Sequence, residues 1–181
     1  VKESHCSYFI EKGIFMRSID ILVTERCSMK CQDCSNLMQY YIKPQNIGNQ
    51  TIINEIEEIL SKIDHLFEIR LIGGEPFVNP NIYEMISYAT NLSKVSYVVI
   101  YTNATIKLSK EKLLSNNIDF NKLSFSITDY GDKLSRQLNQ VTGILDDLKI
   151  PYRAHLPEWW TDSGRIINIE RTEEELKNLF K

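Results

Sequence analysis

Strand-like apolar runs alternate with helical patterns along this chain, and that alternation limits the fold more than any other feature of the sequence. Runs rich in β-branched and aromatic residues predict strands at 18–24, 68–72, 97–102, 123–128 and 152–156. Periodic apolar residues predict helices at 50–63, 81–92, 110–116, 133–148 and 173–180. Strands and helices in strict alternation form βα units around a mainly parallel sheet. We therefore predict an α/β fold with helices outside the sheet.

The length of the chain decides between a closed and an open form of such a sheet. A complete eight-unit barrel takes about 250 residues, whereas this chain has 181. Five βα units are predicted, and residues 166–169 offer a short further strand before the last helix. An open, curved partial barrel is the arrangement that fits this length.

Composition excludes several classes of protein. Hydrophobic residues make up 43% and charged residues 25% of the chain, which is ordinary for a globular domain. The net charge of −3 gives no basic field that would attract nucleic acid, and the longest apolar run, near 98–101, is far too short to span a bilayer. We expect neither nucleic acid nor membrane as a partner. Four cysteines, three of them clustered, favour the reducing cytoplasm over a disulfide framework.

Cys27, Cys31 and Cys34 stand on one short loop directly after the first predicted strand. Three thiolates on one loop indicate a metal site, and three protein ligands leave a zinc ion one position free for chemistry. A four-iron cluster on three thiolates likewise keeps one iron open. The alternatives are inert thiols, or a structural zinc with a remote fourth ligand. The candidates for that ligand are His5, Cys6, His65 and His155.

Two further motifs follow the next two predicted strands. Gly73-Gly74-Glu75-Pro76 comes after the second strand, and Asn103 comes after the third. In α/β folds of this kind, ligands lie outside the carboxyl ends of the strands. The cysteine loop and both motifs are therefore expected on one rim of the sheet.

The spacing Cys-x3-Cys-x2-Cys, followed by Gly73-Gly74-Glu75-Pro76, resembles the signature of the radical S-adenosylmethionine (radical SAM) superfamily. The resemblance implies a partial (β/α)6-type barrel that holds a [4Fe–4S] cluster on the three cysteines and binds SAM at its open iron. It also implies an enzyme that cleaves SAM reductively to a 5′-deoxyadenosyl radical, which abstracts hydrogen from a substrate. The electron would come from a low-potential donor of the flavodoxin or ferredoxin type.

The resemblance assigns further roles in binding SAM. Gly73, Gly74 and Glu75 match the segment that meets the SAM ammonium group, although a plain turn with a solvated Glu75 is the alternative. Asp33 stands where most members of the family place an aromatic residue near the adenine. Its acidic side chain is unsuited to stacking, but its backbone carbonyl still offers the contact to the adenine amine.

Three more positions resemble SAM contacts of the family. Alternation on the fourth strand places Ser124, Ser126 and Thr128 on one face, and Ser126 resembles the polar residue near the SAM ribose or carboxylate. Arg136 resembles an arginine that pairs with the SAM carboxylate, the alternative being an exposed helix arginine. Asn103 resembles the Asn of a third-strand Thr-Asn-Gly, with Ala104 in place of the glycine; a simple turn cap is the alternative.

No catalytic residue is fixed by the pattern. His155 is a candidate because it shares one face of the fifth predicted strand with Arg153, expected to point toward the interior, and histidine is a common acid–base residue. A structural histidine is the alternative. Trp159 and Trp160 follow and are expected to line a substrate entrance or to pack against a further domain.

The runs 34–41, 127–131 and 160–164 resemble a subgroup associated with polysaccharide or glycan biosynthesis. That resemblance implies a sugar-linked substrate, with a peptide as the alternative, and a cysteine-rich C-terminal region of the SPASM type. We expect an N-terminal extension at 1–17 and a radical SAM core at 18–181 that ends before the auxiliary-cluster region. The alternative function is a non-catalytic iron–sulfur or zinc module in electron transfer or assembly. Glu75 and the glycine pair argue against it, because an electron carrier needs no clamp for an amino acid.

Overall fold

The structure, a computed structural model, describes residues 13–31 and 34–157. Five strands form one parallel sheet whose spatial order follows the chain, β1-β2-β3-β4-β5. The strands are β1 Phe15–Thr24, β2 His65–Gly73, β3 Val95–Thr102, β4 Leu123–Thr128 and β5 Tyr152–His155. The helices are α1 Asn49–Lys62, α2 Ile82–Thr90, α3 Lys110–Ser115 and α4 Leu138–Asp147, with short 3-10 turns at Met38–Tyr40 and Pro76–Val78. The predicted α/β partial barrel is confirmed.

The hydrophobic core lies between the helices and one face of the sheet. In α1, Ile52, Ile56 and Leu60 recur every four residues, so one face of that helix is buried. The strands contribute alternate residues, as Phe125 and Ile127 do in β4. Each fully buried aliphatic or aromatic side chain stabilises the fold by about 1.5–3 kcal/mol relative to an exposed one. The sheet is therefore held against its helices on this face, and its other face is left for polar residues.

Strand β4 shows the predicted alternation. Leu123, Phe125 and Ile127 are buried, whereas Ser124, Ser126 and Thr128 are half-buried. The same polar face continues across the sheet, because the register places Ser126 beside Tyr101 on β3 and beside Arg153 on β5.

The predicted helix at 133–148 begins only at Leu138. Residues before it form a turn in which Gly131 has a φ of +83°, a backbone conformation that favours glycine. The Asp129 carboxylate accepts the Gly131 N–H at 2.7 Å, and the buried Ser135 hydroxyl accepts the Tyr130 N–H at 2.9 Å. These side-chain bonds replace helical ones, so Arg136 lies in the turn and not in the helix.

The remaining differences lie at element ends and outside the described residues. Strand β1 begins at Phe15, three residues before the predicted start, because Phe15 pairs with His65 at the edge of the sheet. The predicted strand at 166–169, the helix at 173–180 and the pair Trp159 and Trp160 lie outside the described residues. No helix in the described part of the chain is long and apolar enough to cross a bilayer.

Candidate active site

The carboxyl ends of the first four strands enclose a cavity of about 300 Å³. Its wall contains the three cysteines, both glycines of the Gly-Gly-Glu-Pro motif, and polar residues that follow β3 and β4. Among the residues of this wall are Cys27, Cys31, Cys34, Gly73, Gly74, Thr102, Asn103, Thr128 and Tyr130. Sequence motifs far apart in the chain therefore meet at one end of the sheet.

The cysteine loop is held to the end of β1 by hydrogen bonds. Thr24 donates its hydroxyl to Asn46 Oδ1 at 2.7 Å and accepts the Arg26 N–H at 3.0 Å. Arg26 in turn donates Nε to the Pro44 carbonyl at 3.1 Å. These hydrogen bonds join the two ends of the segment from Thr24 to Asn46. They therefore fix the position of Cys27 relative to the end of β1.

The donor set of the cavity fits an iron–sulfur cluster. Cys27, Cys31 and Cys34 are unpaired and only partly buried, and thiolates are the usual ligands of such clusters. Burial raises the pKa of the Cys27 and Cys31 thiols, and neighbouring thiolates raise it further. A bound metal centre would supply the positive charge that keeps them ionised. Within residues 13–31 and 34–157, no three His, Cys, Asp or Glu side chains are arranged around a single metal ion.

Both glycines of the motif are required by the cysteine loop. A Cβ atom on Gly73 would lie 2.7 Å from the Thr24 carbonyl oxygen, and one on Gly74 would lie 2.6 Å from Cys27 Cβ. The backbone of the motif also donates to the loop, from Gly74 N to the Thr24 carbonyl at 3.1 Å and from Glu75 N to the Arg26 carbonyl at 3.0 Å. The glycine pair therefore holds the cysteine loop at the rim by direct backbone contact.

Glu75 is completely buried and its carboxylate binds the end of β3. It accepts the Thr102 hydroxyl at 2.9 Å, the Asn103 N–H at 2.8 Å and the Phe77 N–H at 3.2 Å. Its side chain is not among those that line the cavity, whereas Gly73, Gly74 and Asn103 are. The structure thus places the Glu75 carboxylate between two strand ends, and the contact to the SAM ammonium group stays a prediction.

The buried Glu75 should make the stability of the metal-free protein depend on pH. Burial raises the pKa of Glu75 from 4.5 to about 7. Between these values the unfolded state has lost the proton that the folded state retains, so the free energy of unfolding should fall as pH rises. At 1.36 kcal/mol per pKa unit the loss is about 3 kcal/mol between pH 4.5 and 8. Urea denaturation of Glu75→Gln should lack this part of the pH dependence, and an identical slope in both proteins would contradict the prediction.

Asn103 has every polar group engaged. Its Oδ1 accepts the Thr105 N–H at 3.0 Å, and its Nδ2 faces the Cys27 sulfur at 3.8 Å. The next residue, Ala104, has a φ of +52°, a left-handed conformation that glycine adopts more easily. The turn after β3 therefore keeps its shape although the glycine expected from the family pattern is replaced.

Three of the predicted site residues that the structure describes, Ser126, Arg136 and His155, do not line this cavity. Ser126 is half-buried on β4, and Arg136 is exposed, with Nε bound to the Lys133 carbonyl at 3.1 Å. Arg136 lines a second cavity of about 280 Å³, which shares Met29 with the first. His155 Nε2 lies 3.5 Å from the Thr128 hydroxyl, and its buried Nδ1 has no hydrogen-bond partner among the described residues. Asp33 lies outside the described residues.

The sequence interpretation did not single out two charged residues and two tyrosines of the cavity wall. Asp20 and Arg70 face each other in register on β1 and β2, and Arg70 binds Glu68 at 2.5 Å and Asp20 at 3.5 Å. Tyr101 is also part of the wall. Burial raises the pKa of Tyr130 to about 12, and the adjacent thiolates of the cysteine loop add to the rise. Tyr130 lies just after β4, as Asn103 lies just after β3. This position after a strand is the sequence feature that could have identified Tyr130 as a site residue.

Comparisons with known proteins agree with this site. The family model described as the Radical SAM superfamily matches residues 21–150. The GTP 3′,8-cyclase of Clostridium acetobutylicum is 29% identical over 150 residues, which are 77% of this chain and 45% of that protein. The GTP 3′,8-cyclases of Syntrophomonas wolfei and Microcystis aeruginosa are 27% identical over 113 residues and 30% identical over 99 residues. These cover 59% and 49% of this chain, and 32% and 28% of the relatives. The chain thus spans less than half the length of these relatives.

The family match runs from Ile21 in β1 through α4 and includes every residue of the cavity wall described above except Asp20. It covers well over half of the chain, which is sufficient to assign the family. This chain belongs to the radical SAM superfamily.

Proposed function

We propose that this chain is the catalytic core of a radical SAM enzyme, with Cys27, Cys31 and Cys34 as the cluster ligands. Members of the superfamily bind a [4Fe–4S] cluster and S-adenosylmethionine. When bound, these cofactors supply reductive cleavage of the sulfonium C–S bond and hydrogen abstraction from a substrate. The observation that carries the proposal is the packing of Gly74 against Cys27, which holds three unpaired thiols at one cavity.

The residues around the thiols have distinct tasks in this proposal. Gly73 and Gly74 keep the backbone close to the cysteine loop and line the cavity wall, where backbone carbonyl groups would serve as acceptors for an ammonium group. The Glu75 carboxylate keeps the two strand ends together through Thr102 and Asn103. Ser126 and Arg136 remain proposed SAM contacts, supported by their places on β4 and beside Met29.

The polar face of the sheet supports a small polar substrate. Asp20, Arg70 and Tyr101 line the cavity next to the thiols, and they offer both acceptors and donors. A sugar-linked or peptide substrate is compatible with this set. The relatives from Clostridium acetobutylicum, Syntrophomonas wolfei and Microcystis aeruginosa are named GTP 3′,8-cyclases, so they do not support the polysaccharide subgroup.

GTP is a second candidate substrate because of those relatives. Against it, Arg70 is already bound by Glu68 and Asp20 and is the one cationic side chain of the described cavity wall. A triphosphate needs several free cations, which other parts of the protein would have to provide. GTP added to the reconstituted protein tests this candidate: increased formation of 5′-deoxyadenosine supports GTP, and an unchanged rate counts against it.

The supply of electrons is part of the proposal. A donor of the flavodoxin or ferredoxin type would reduce the cluster, and the reducing cytoplasm suits three unpaired thiols. A non-catalytic iron–sulfur or zinc module is the alternative function, and the following experiment separates it from an enzyme.

Reduced, reconstituted protein should convert SAM to 5′-deoxyadenosine and methionine, slowly even without substrate. Anaerobic reconstitution with iron and sulfide, reduction with dithionite and mass spectrometry of the products measure this directly. Protein without iron provides the control. A cluster that takes electrons but leaves SAM intact would indicate an electron carrier, and zinc uptake in place of iron would contradict the cluster.

A further inference from the structure

Asn103 offers a fixed hydrogen-bond donor to a cysteine of the proposed cluster. Its backbone N–H is held by the Glu75 carboxylate at 2.8 Å, and its carbonyl accepts the Ser135 hydroxyl at 2.8 Å. Because Oδ1 accepts the Thr105 N–H, the amide group can present only its NH2 end to the sulfur of Cys27. The donor is thus oriented by the fold and not by the ligand.

Tyr130 offers a second donor from the next strand end. Tyr130 lines the same cavity as Cys31, and its side chain interacts with the Cys31 thiol. Its backbone N–H donates to the Ser135 hydroxyl at 2.9 Å. Ser135, which is only 2% exposed, therefore links the backbone of Tyr130 to that of Asn103.

Hydrogen bonds to cluster sulfurs act on the reduction potential. Reduction adds one negative charge, which is shared by the thiolate sulfurs, so a donor stabilises the reduced form more than the oxidised form. Two donors directed at two of the three sulfurs would make the cluster easier to reduce. The backbone N–H of Met29, which donates to the Cys27 sulfur at 3.4 Å, acts in the same direction.

We propose that the side chains of Asn103 and Tyr130 donate hydrogen bonds to Cys27 and Cys31 and raise the reduction potential of the cluster. The inference rests on the proposed function, because it needs the cluster on these cysteines. It gives Asn103 a task at the sulfur in place of the SAM contact predicted from the sequence, and it gives Tyr130 a role that the sequence did not suggest.

Potentiometric titration of the reconstituted protein, followed by electron paramagnetic resonance, tests the inference. Tyr130→Phe removes one donor without adding charge. Asn103→Asp removes the NH2 donor and keeps an oxygen that accepts the Thr105 N–H. Asn103→Ala removes the donor without adding a charge. All three variants should load as much iron as the native protein and titrate at a lower midpoint potential, and Tyr130→Phe combined with Asn103→Ala should titrate lowest.

Two matched controls separate the sulfur contact from packing. Tyr101→Phe removes a hydroxyl from the same cavity, and Thr105→Ala removes the hydroxyl that pairs with Ser28 on the cysteine loop. Both should keep the native midpoint. Native midpoints in the fully loaded Tyr130 and Asn103 variants, or equal shifts in the controls, would overturn the inference alone. A native chain that takes up no iron would overturn the proposed function and the inference with it. If the Asn103 variants take up less iron than the native protein, the midpoint potential of Tyr130→Phe alone tests the inference.

Discussion

Protein in which Cys27, Cys31 and Cys34 are all replaced by alanine should bind only background iron, whereas the native chain should take up about four iron and four sulfide. The three thiols are the unpaired cysteines of the described residues, and all three line one cavity. Each is only partly buried, so its loss should cost less than about 1 kcal/mol of folding free energy. Loss of iron would then report on ligands and not on unfolding, which a thermal melt of the metal-free proteins checks.

Cys6→Ala is the matched control, because it removes the one remaining cysteine of the chain. It should load iron as the native protein does. Iron bound by the triple variant, or lost in Cys6→Ala, would contradict the ligand assignment. Stoichiometric zinc without iron in the native chain would contradict the cluster itself.

The fold was predictable because its signals are local. Alternation in β4 and the four-residue recurrence in α1 depend on which face of each element meets the core, and both appear in the structure as expected. The start of α4 was not predictable in this way. Residues 133–136 suit a helix by composition, but Ser135 instead uses its hydroxyl to join the turn after β4 to Asn103.

The candidate site was predictable in position and less so in detail. Motifs after successive parallel strands had to meet at one rim, which explains why the cysteines and Gly74 share a cavity. The Thr102 and Asn103 partners of Glu75 lie 27 and 28 residues further along the chain, and no local pattern joins them to it. The register of the sheet places Arg70 and Tyr101 in the cavity wall, and the sequence alone does not specify that register.

Gly74→Ala should destabilise the protein by about 3 kcal/mol, near the upper end of what overpacking costs, and should greatly reduce cluster loading. The added Cβ would lie 2.6 Å from the Arg26 carbonyl carbon and from Cys27 Cβ. The Arg26 carbonyl cannot move aside cheaply, since it accepts the Glu75 N–H at 3.0 Å. The variant must therefore displace the cysteine loop or break the hydrogen bonds that place Cys27.

Gly143→Ala is the matched control, because the same methyl group there would meet no atom within 4 Å apart from its chain neighbours and the backbone of its own helix. Gly143 lies inside α4, where alanine should stabilise the helix by about 0.5–1 kcal/mol. Urea denaturation and iron content of both variants test the contrast. If Gly74→Ala loses iron but keeps the native free energy of unfolding, the cysteine loop is displaced without loss of global stability. If Gly74→Ala keeps both the native iron content and the native free energy of unfolding, the close approach of the glycine pair to the cysteine loop is not required. The expected result, loss of both in Gly74→Ala and of neither in Gly143→Ala, would tie stability and cluster binding to one backbone contact.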